Sequence, residues 1–481
     1  MSKMRSIKKN YIYNLIYQIF LVLTPLITAP YLSRTLGAEG LGTYGYTLTI
    51  CSYFILFADL GAAAYGTREI ASVRDDERKK AKTFWEIFLL KLLTTGISLG
   101  AYIGFSLYVG EYKNLYLILI ANLVSSAFDI TWFFYGIEEF KNIILRNIVL
   151  RALSIIAILV FIKGPDDLTA YVIISAATAL LGNIVLWPSL KKELLSGGIK
   201  KLDPLKHLKG VIILFIPQIA IQIYTLLDKT MIGVIAPDIS EVGYYEQAQK
   251  IVKLLLVVVT TLGTVIAPRI AYMHSKQDRA GIEEYILKSF QVMSFIAFPI
   301  MCGIIAISEP FVPFFFGDGF EPVKILMPAI SPIILFIGAS NIIGQQYLLP
   351  TRKNKEYTIS VIIGALINAA MNFVLIPKYS AFGASISTVV AELCVVLSQM
   401  FMVRKQLGVK KIISRCWKYG IASVIMLSVC MIVGCMTREF GSFANLILIA
   451  ITGVSVYSII LIIMKDEMVK MVKKIIMKRR A

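Results

Sequence analysis

Residues 36–47 read LGAEGLGTYGYT and residues 57–71 read FADLGAAAYGTREIA; residues 235–249 then read IAPDISEVGYYEQAQ and 258–271 read VVTTLGTVIAPRIA. Gly42-Thr43-Tyr44 aligns with Gly243-Tyr244-Tyr245, Leu60-Gly61 with Leu262-Gly263, and Arg68 with Arg269, at an offset of 201 or 202. The chain therefore repeats itself once. What separates the two copies decides the architecture.

Apolar runs of membrane-spanning length flank both copies. They place helices at 10–33, 41–65, 83–108, 113–136, 142–162, 168–190, 210–236, 242–268, 284–308, 322–350, 356–377, 380–404, 412–436 and 442–464. Each is long enough to cross about 30 Å of hydrocarbon, where a backbone must satisfy its own hydrogen bonds and so winds into a helix. The alternating ten-residue segments of a membrane barrel are absent. The expectation is an all-α polytopic membrane protein of about fourteen transmembrane helices. Six helices separate the repeats, an even number, so the halves point the same way. Helices 1–6 (1–190) form one lobe, a basic linker follows (191–209), helices 7–12 (210–405) form a second, and 406–481 holds helices 13–14 and a basic tail. Parallel repeats imply a pseudo-two-fold axis along the membrane normal, with the transported species passing between lobes.

Charge tests this topology. Of 481 residues, 57% are hydrophobic and 16% charged, and the formal charge is +19. Assigned to alternate loops, thirty-eight of the 49 basic residues fall on one side and six on the other; five lie within helices. By the positive-inside rule both termini are cytoplasmic. The charge is thus a topological signal and needs no nucleic-acid partner. The tail, Lys465 to Arg480, is basic enough to lie on anionic lipid. Cys51, Cys302, Cys394, Cys416, Cys430 and Cys435 lie in or beside apolar helices without a CxxC pair and read as small core residues. His207 and His274 do not cluster, so no metal centre is expected. No cleavable signal peptide is visible.

Two soluble-enzyme motifs are rejected. Gly40 to Gly45 fits GxGxxG but lacks a preceding strand and reads as a tight helix hairpin. Gly61 to Thr67 resembles a phosphate-binding loop, yet Thr67 stands where lysine belongs. Polar groups within the spans are more informative, because they are costly in lipid unless they face a cavity or a partner. Helix 7 carries Gln218, Gln222, Thr225 and Lys229, and helix 8 carries Glu246, Lys250 and Lys253, each set on one helical face. Lys229 lies roughly 10 Å from the outer end of its helix. The first lobe adds Asn14, Gln18, Arg34, Asp59, Lys91, Asp129 and Arg151; helix 11 adds Asn368 and Asn372, and helix 12 adds Glu392. A cationic cavity walled by amides suits a phosphorylated, hydroxyl-rich substrate. Alternatively, the charges neutralise one another: Asp228 beside Lys229, Glu246 one turn from Lys250, and Asp59 against Arg68 or another cation. Pro25, Pro30 and Pro217 fall in the leading helix of each lobe and kink it, for bending or for packing.

The stretches TPLITAPYLSRTLGAEGLGTYGY (24–46), FADLGAAAYGTREIA (57–71), LLDKTMIG (226–233), VGYYEQAQKIVKL (242–254), QQYLLPTRKNKEYT (345–358) and INAAMNFVLIPKYSAFGASIST (367–388) resemble those of the polysaccharide repeat-unit flippases. These are Wzx-like members of the polysaccharide transporter branch of the MATE/lipid II flippase superfamily. The resemblance runs along nearly the whole chain. It implies translocation of a polyprenyl-pyrophosphate-linked oligosaccharide between leaflets of a bacterial cytoplasmic membrane, with no cofactor and with Na+ or H+ coupling open. It also implies polysaccharide polymerase and glycosyltransferases as neighbours, and Arg34, Lys229, Lys250 and Lys253 as anion contacts. Asp59, Asp129, Asp228, Glu246 and Glu392 remain for ion coupling or charge pairing. A lipid II flippase shares this chemistry. A cation-coupled drug exporter would want an acidic, aromatic cavity. A membrane polymerase would want a large outer loop bearing catalytic groups, whereas the longest outer loop, 309–321, is mostly apolar.

Overall fold

The computed structural model describes residues 2–190, 194, 202–261 and 263–471; the side chains of 2–19, 21–22, 140, 142, 214, 216–218, 220–221, 223–224 and 263–265 lie outside that description. The described residues are helical almost throughout. In order they form α1 (Ser2–Asp59), α2 (Ala62–Val73), α3 (Glu77–Tyr108), α4 (Lys113–Ala127), α5 (Thr131–Gly136), α6 (Phe140–Phe161), α7 (Leu168–Ile184) and α8 (Trp187–Leu190). They continue with α9 (Leu208–Ile235), α10 (Ser240–Thr260), α11 (Gly263–Ser275), α12 (Arg279–Phe315), α13 (Val323–Ile330) and α14 (Ile333–Ser340). A π-helical stretch (Asn341–Leu348) leads to α15 (Asn354–Val403), α16 (Val409–Met436) and α17 (Ser442–Ile463). Ten segments among the described residues are long and apolar enough to cross a membrane. Several of these, Leu23–Val73 and Asn354–Val403 among them, contain an internal break. The protein is an all-α, multi-pass membrane protein.

The breaks differ from the expected spans for local reasons. The hairpin expected at 40–45 lies at Gly37, whose backbone (φ 68, ψ −177) ends one helix within α1 and starts the next. Gly40 to Gly45 are helical. Without a Cβ, Gly37 adopts a left-handed φ that most residues resist. The expected span 41–65 is interrupted where Leu60 (φ 47) and Gly61 (φ 80) separate α1 from α2. In the second copy α10 ends at Thr260 and α11 begins at Gly263, so the repeat carries a helix break at the same aligned position. A third break falls at Ser380 (φ 46, ψ −128) within α15. The backbone N–H of Ala381, left over as the new helix starts, donates to Glu241 Oε2 at 3.0 Å, as a capping carboxylate should.

By internal contacts the chain divides into a first unit, Met1–Gly233, and a second, Val234–Ala481. The first is cored by aromatics: Phe84 stacks on Trp132 at 5.4 Å and meets Phe133 edge-on at 5.2 Å. Trp132 has room there because Gly66 lacks a side chain; a Cβ would stand 2.4 Å from Trp132 Cε3. In the second unit α16 and α17 pack on α12 around Cys302, Tyr419, Met426 and Ile449. The Tyr457 hydroxyl donates to the Phe295 carbonyl at 2.9 Å. In a membrane such polar ties fix neighbouring helices whose apolar faces gain little from one another. Cys51, Cys302, Cys416 and Cys430 are buried.

Candidate functional site

In the second unit the polar residues of α10 form an array of two hydrogen-bonded sets. Lys253 Nζ donates to Gln249 Oε1 at 2.9 Å, Gln249 Nε2 donates to the Tyr245 hydroxyl at 3.1 Å, and that hydroxyl lies 3.1 Å from Thr388 Oγ1 on α15. Lys250 Nζ donates to Gln247 Oε1 at 3.3 Å and stands 4.0 Å from Glu246. Tyr245, Gln247, Gln249 and Thr388 are buried, while Glu246 and Lys250 are partly exposed and Lys253 is exposed. Buried amide oxygens thus accept from the ammonium heads of two lysines that are themselves partly exposed or exposed. Deeper in α15, Asn372 Nδ2 donates to Asn368 Oδ1 at 3.2 Å, and both residues are fully buried, as is most of Glu392.

In the first unit α9 presents Lys229, half-buried, beside Asp228, which is buried. The next residue, Thr230, brings its Oγ1 to 3.0 Å from the Tyr53 hydroxyl. Below these, the Thr225 hydroxyl donates to the Gln222 carbonyl at 2.9 Å, and the Gln222 side chain is exposed. Asp59 sits at the end of α1, where Lys91 Nζ reaches it at 2.8 Å. Asp59, expected against Arg68 or another cation, meets Lys91, while Arg68 pairs with Glu69 at 3.1 Å. Lys91 Nζ also donates to the Asp129 carbonyl at 3.3 Å, and Asp129 Oδ1 accepts from the Thr131 N–H at 2.9 Å where α5 begins. Arg34 is exposed, with Nη1 donating to the Pro30 carbonyl at 3.3 Å. Arg151 is half-buried on α6. The side chains of Asn14, Gln18 and Gln218 lie outside the described residues.

Each unit therefore carries its own cations. Lys250 and Lys253 share a face of α10, Lys229 and Asp228 are neighbours on α9, and Asp59, Lys91 and Asp129 meet at the helix break. Reading the sequence for charges alone passes over Tyr245, Gln247, Gln249 and Thr388. The signal that finds them is spacing: Gln249 lies four residues before Lys253 and Gln247 three before Lys250, the reach of one helical turn.

The family described as "Polysaccharide biosynthesis protein" matches residues 7–274. The chain is 28% identical over 405 residues to a protein of Escherichia coli (strain K12) named "Putative O-antigen transporter", with 82% of this chain and 96% of that protein covered. Among solved structures it is similar to "Lipid II flippase MurJ, inward closed conformation", with a TM-score of 0.73 at 18% identity over 95% of this chain and 98% of that one. It is also similar to an inward-facing multidrug resistance MATE family transporter of the MOP superfamily, with a TM-score of 0.65 at 13% identity over 83% and 98% of the two chains. These likenesses establish a MurJ- and MATE-like fold.

Proposed function

The chain belongs to the polysaccharide biosynthesis protein family, and from that premise we propose that it is a flippase. Its substrate is a polyprenyl-pyrophosphate-linked oligosaccharide, carried from the inner to the outer leaflet of a bacterial cytoplasmic membrane for surface polysaccharide assembly. The two lobes alternate access. Both termini face the cytoplasm, the side of the basic loops. A lipid-linked oligosaccharide made by glycosyltransferases enters from that side, and a polymerase receives it on the other.

The observation that carries the reading is the α10 array. Pyrophosphate and sugar hydroxyls cannot enter hydrocarbon unpaired, since each such group costs several kcal/mol. Lys250 and Lys253, held by Gln247 and Gln249, supply cations for the phosphates beside amides for the hydroxyls. Lys229 and Arg34 are further anion contacts. A drug exporter for organic cations gains nothing from such a face. Moving about two negative charges outward through an inside-negative potential is downhill by roughly 4–5 kcal/mol per 100 mV, so the loaded step needs no nucleotide. Return of the empty carrier is where Na+ or H+ would enter, on Asp59 or Glu246.

The test is complementation of a deletion strain. Wild type clears the lipid-linked oligosaccharide from the inner leaflet, whereas Lys229→Ala, Lys250→Ala and Lys253→Ala leave it there at normal membrane levels. Intermediate that reaches the outer leaflet without the protein and accumulates unpolymerised would place the protein after flipping and overturn the reading.

A further inference from the structure

The repeat assigns α9 to the second half of the chain, yet its first turns are built into the first unit. Glu86, on α3, is fully buried. Its Oε1 accepts from the backbone N–H of Asp203 at 3.0 Å. Its Oε2 lies 2.6 Å from Lys206 Nζ and 3.2 Å from His207 Nε2. The other ring nitrogen of His207 lies 2.9 Å from the Tyr65 hydroxyl on α2. Three partners of the carboxylate come from the five residues just before α9. Lys82, one turn away on α3, stands 3.8 Å from the same group.

Apolar packing continues the attachment. Val211 is buried in the aromatic cluster of Phe84, Ile87, Trp132 and Tyr65, and Leu208 packs against it. At Gly210 the fit is so close that a Cβ would lie 2.3 Å from Tyr65 Cε2. Higher on the helix, the Phe215 Cα would lie 3.3 Å from a Cβ at Gly61, and Gly233 leaves room for the ring of Tyr46.

We infer that Glu86 is a positioning residue that anchors the foot of α9 in the first unit. The Asp228–Lys229 pair that α9 carries then keeps a fixed relation to the first unit while the carrier works. A buried carboxylate compensated by three groups of the 203–207 segment resists release, because undocking strips away most of its compensating donors. The mechanical boundary therefore falls after α9, in the turn at 236–239, rather than in the basic linker where the repeat places it.

The test uses the full chain in vesicles, and its transport arm rests on the flippase reading above. Lys82→Cys and Lys206→Cys, in a background with the native cysteines replaced by alanine, are bridged by a short bis-maleimide. Expected is flipping at the unbridged rate. Flipping that stops on bridging means the foot must leave α3 and overturns the inference. In a second arm independent of substrate, Glu86→Gln raises amide exchange over 203–210 by roughly tenfold while α16 and α17 keep wild-type protection. Lys206→Met, which removes a half-exposed partner, gives a smaller rise in the same segment. Unchanged exchange at 203–210 in both variants overturns the anchor. An unbridged protein that flips nothing refutes the flippase reading instead, and the exchange arm still decides on Glu86.

Discussion

Lys91 Nζ lies 2.8 Å from Asp59 Oδ1, joining α3 to the end of α1 at the point where the chain turns through Leu60 and Gly61. The pair is lopsided: the Lys91 side chain is 1% exposed and that of Asp59 28%. The carboxylate completes the charge balance of a helix break whose last carbonyls already favour a cation.

Lopsided burial makes the two deletions unequal. Asp59→Asn strands a buried cation and is expected to cost up to about 3 kcal/mol. Lys91→Met leaves a carboxylate that solvent reaches and costs less, and the double variant recovers most of the loss. Thermal unfolding of the purified proteins checks this order.

A second expectation concerns close packing. A Cβ at Gly383 would lie 2.5 Å from the Leu375 carbonyl oxygen, a backbone atom that cannot swing aside, whereas one at Gly420 would meet Phe298 at an ordinary 3.5 Å. Gly383→Ala is expected to lose about 1–3 kcal/mol of stability by overpacking. Gly420→Ala is expected to be neutral. Membrane levels and unfolding temperatures of the two variants separate the cases.

Coupling within the α10 array is the third. Gln249→Leu removes the acceptor that holds Lys253 at 2.9 Å, so it is expected to slow flipping as Lys253→Ala does. The double variant should be little worse than either single one, because residues in one network are not additive. Fully additive losses would show that Gln249 does not act through Lys253.

A fourth follows from Asp76, in the basic loop before α3. Its carboxylate accepts the Lys79 N–H at 3.1 Å, which holds its pKa below the usual carboxylate value. A depressed native pKa adds stability that is present above the unfolded value, about 4, and is lost as pH falls through the native one. Asp76→Asn keeps the cap without the charge. Its acid unfolding should therefore depend less steeply on pH below about 4 than that of wild type.

The all-α, multi-pass architecture is legible in the sequence because hydrocarbon leaves so few alternatives: recurrent apolar runs of spanning length wind into helices. What escapes is what depends on contacts between distant elements. Asp59 and Lys91 are 32 positions apart, and nothing in either helix announces the other. Glu86 reads as one acid near the start of an apolar span, and His207 as an isolated ring; only folding brings them to 3.2 Å. The break at Gly37 rather than at 40–45 is equally hidden, since Gly37, Gly40, Gly42 and Gly45 crowd that region and only Gly37 among them adopts a left-handed φ. The partners of the α10 lysines lay within reach of helical spacing, but neutral glutamines carry no charge signal.

Reconstitution shows whether the protein flips the glycolipid by itself. Purified protein is placed in vesicles containing polyprenyl-pyrophosphate-linked oligosaccharide, and a membrane-impermeant glycosidase reports the fraction of glycan on the outer face over time. Expected is exposure of nearly the whole pool with wild type, and of only the initial outer-face fraction with Lys250→Ala/Lys253→Ala and with empty vesicles. Wild-type vesicles that expose no more glycan than empty ones, with the protein folded and membrane-inserted, would contradict the flippase function.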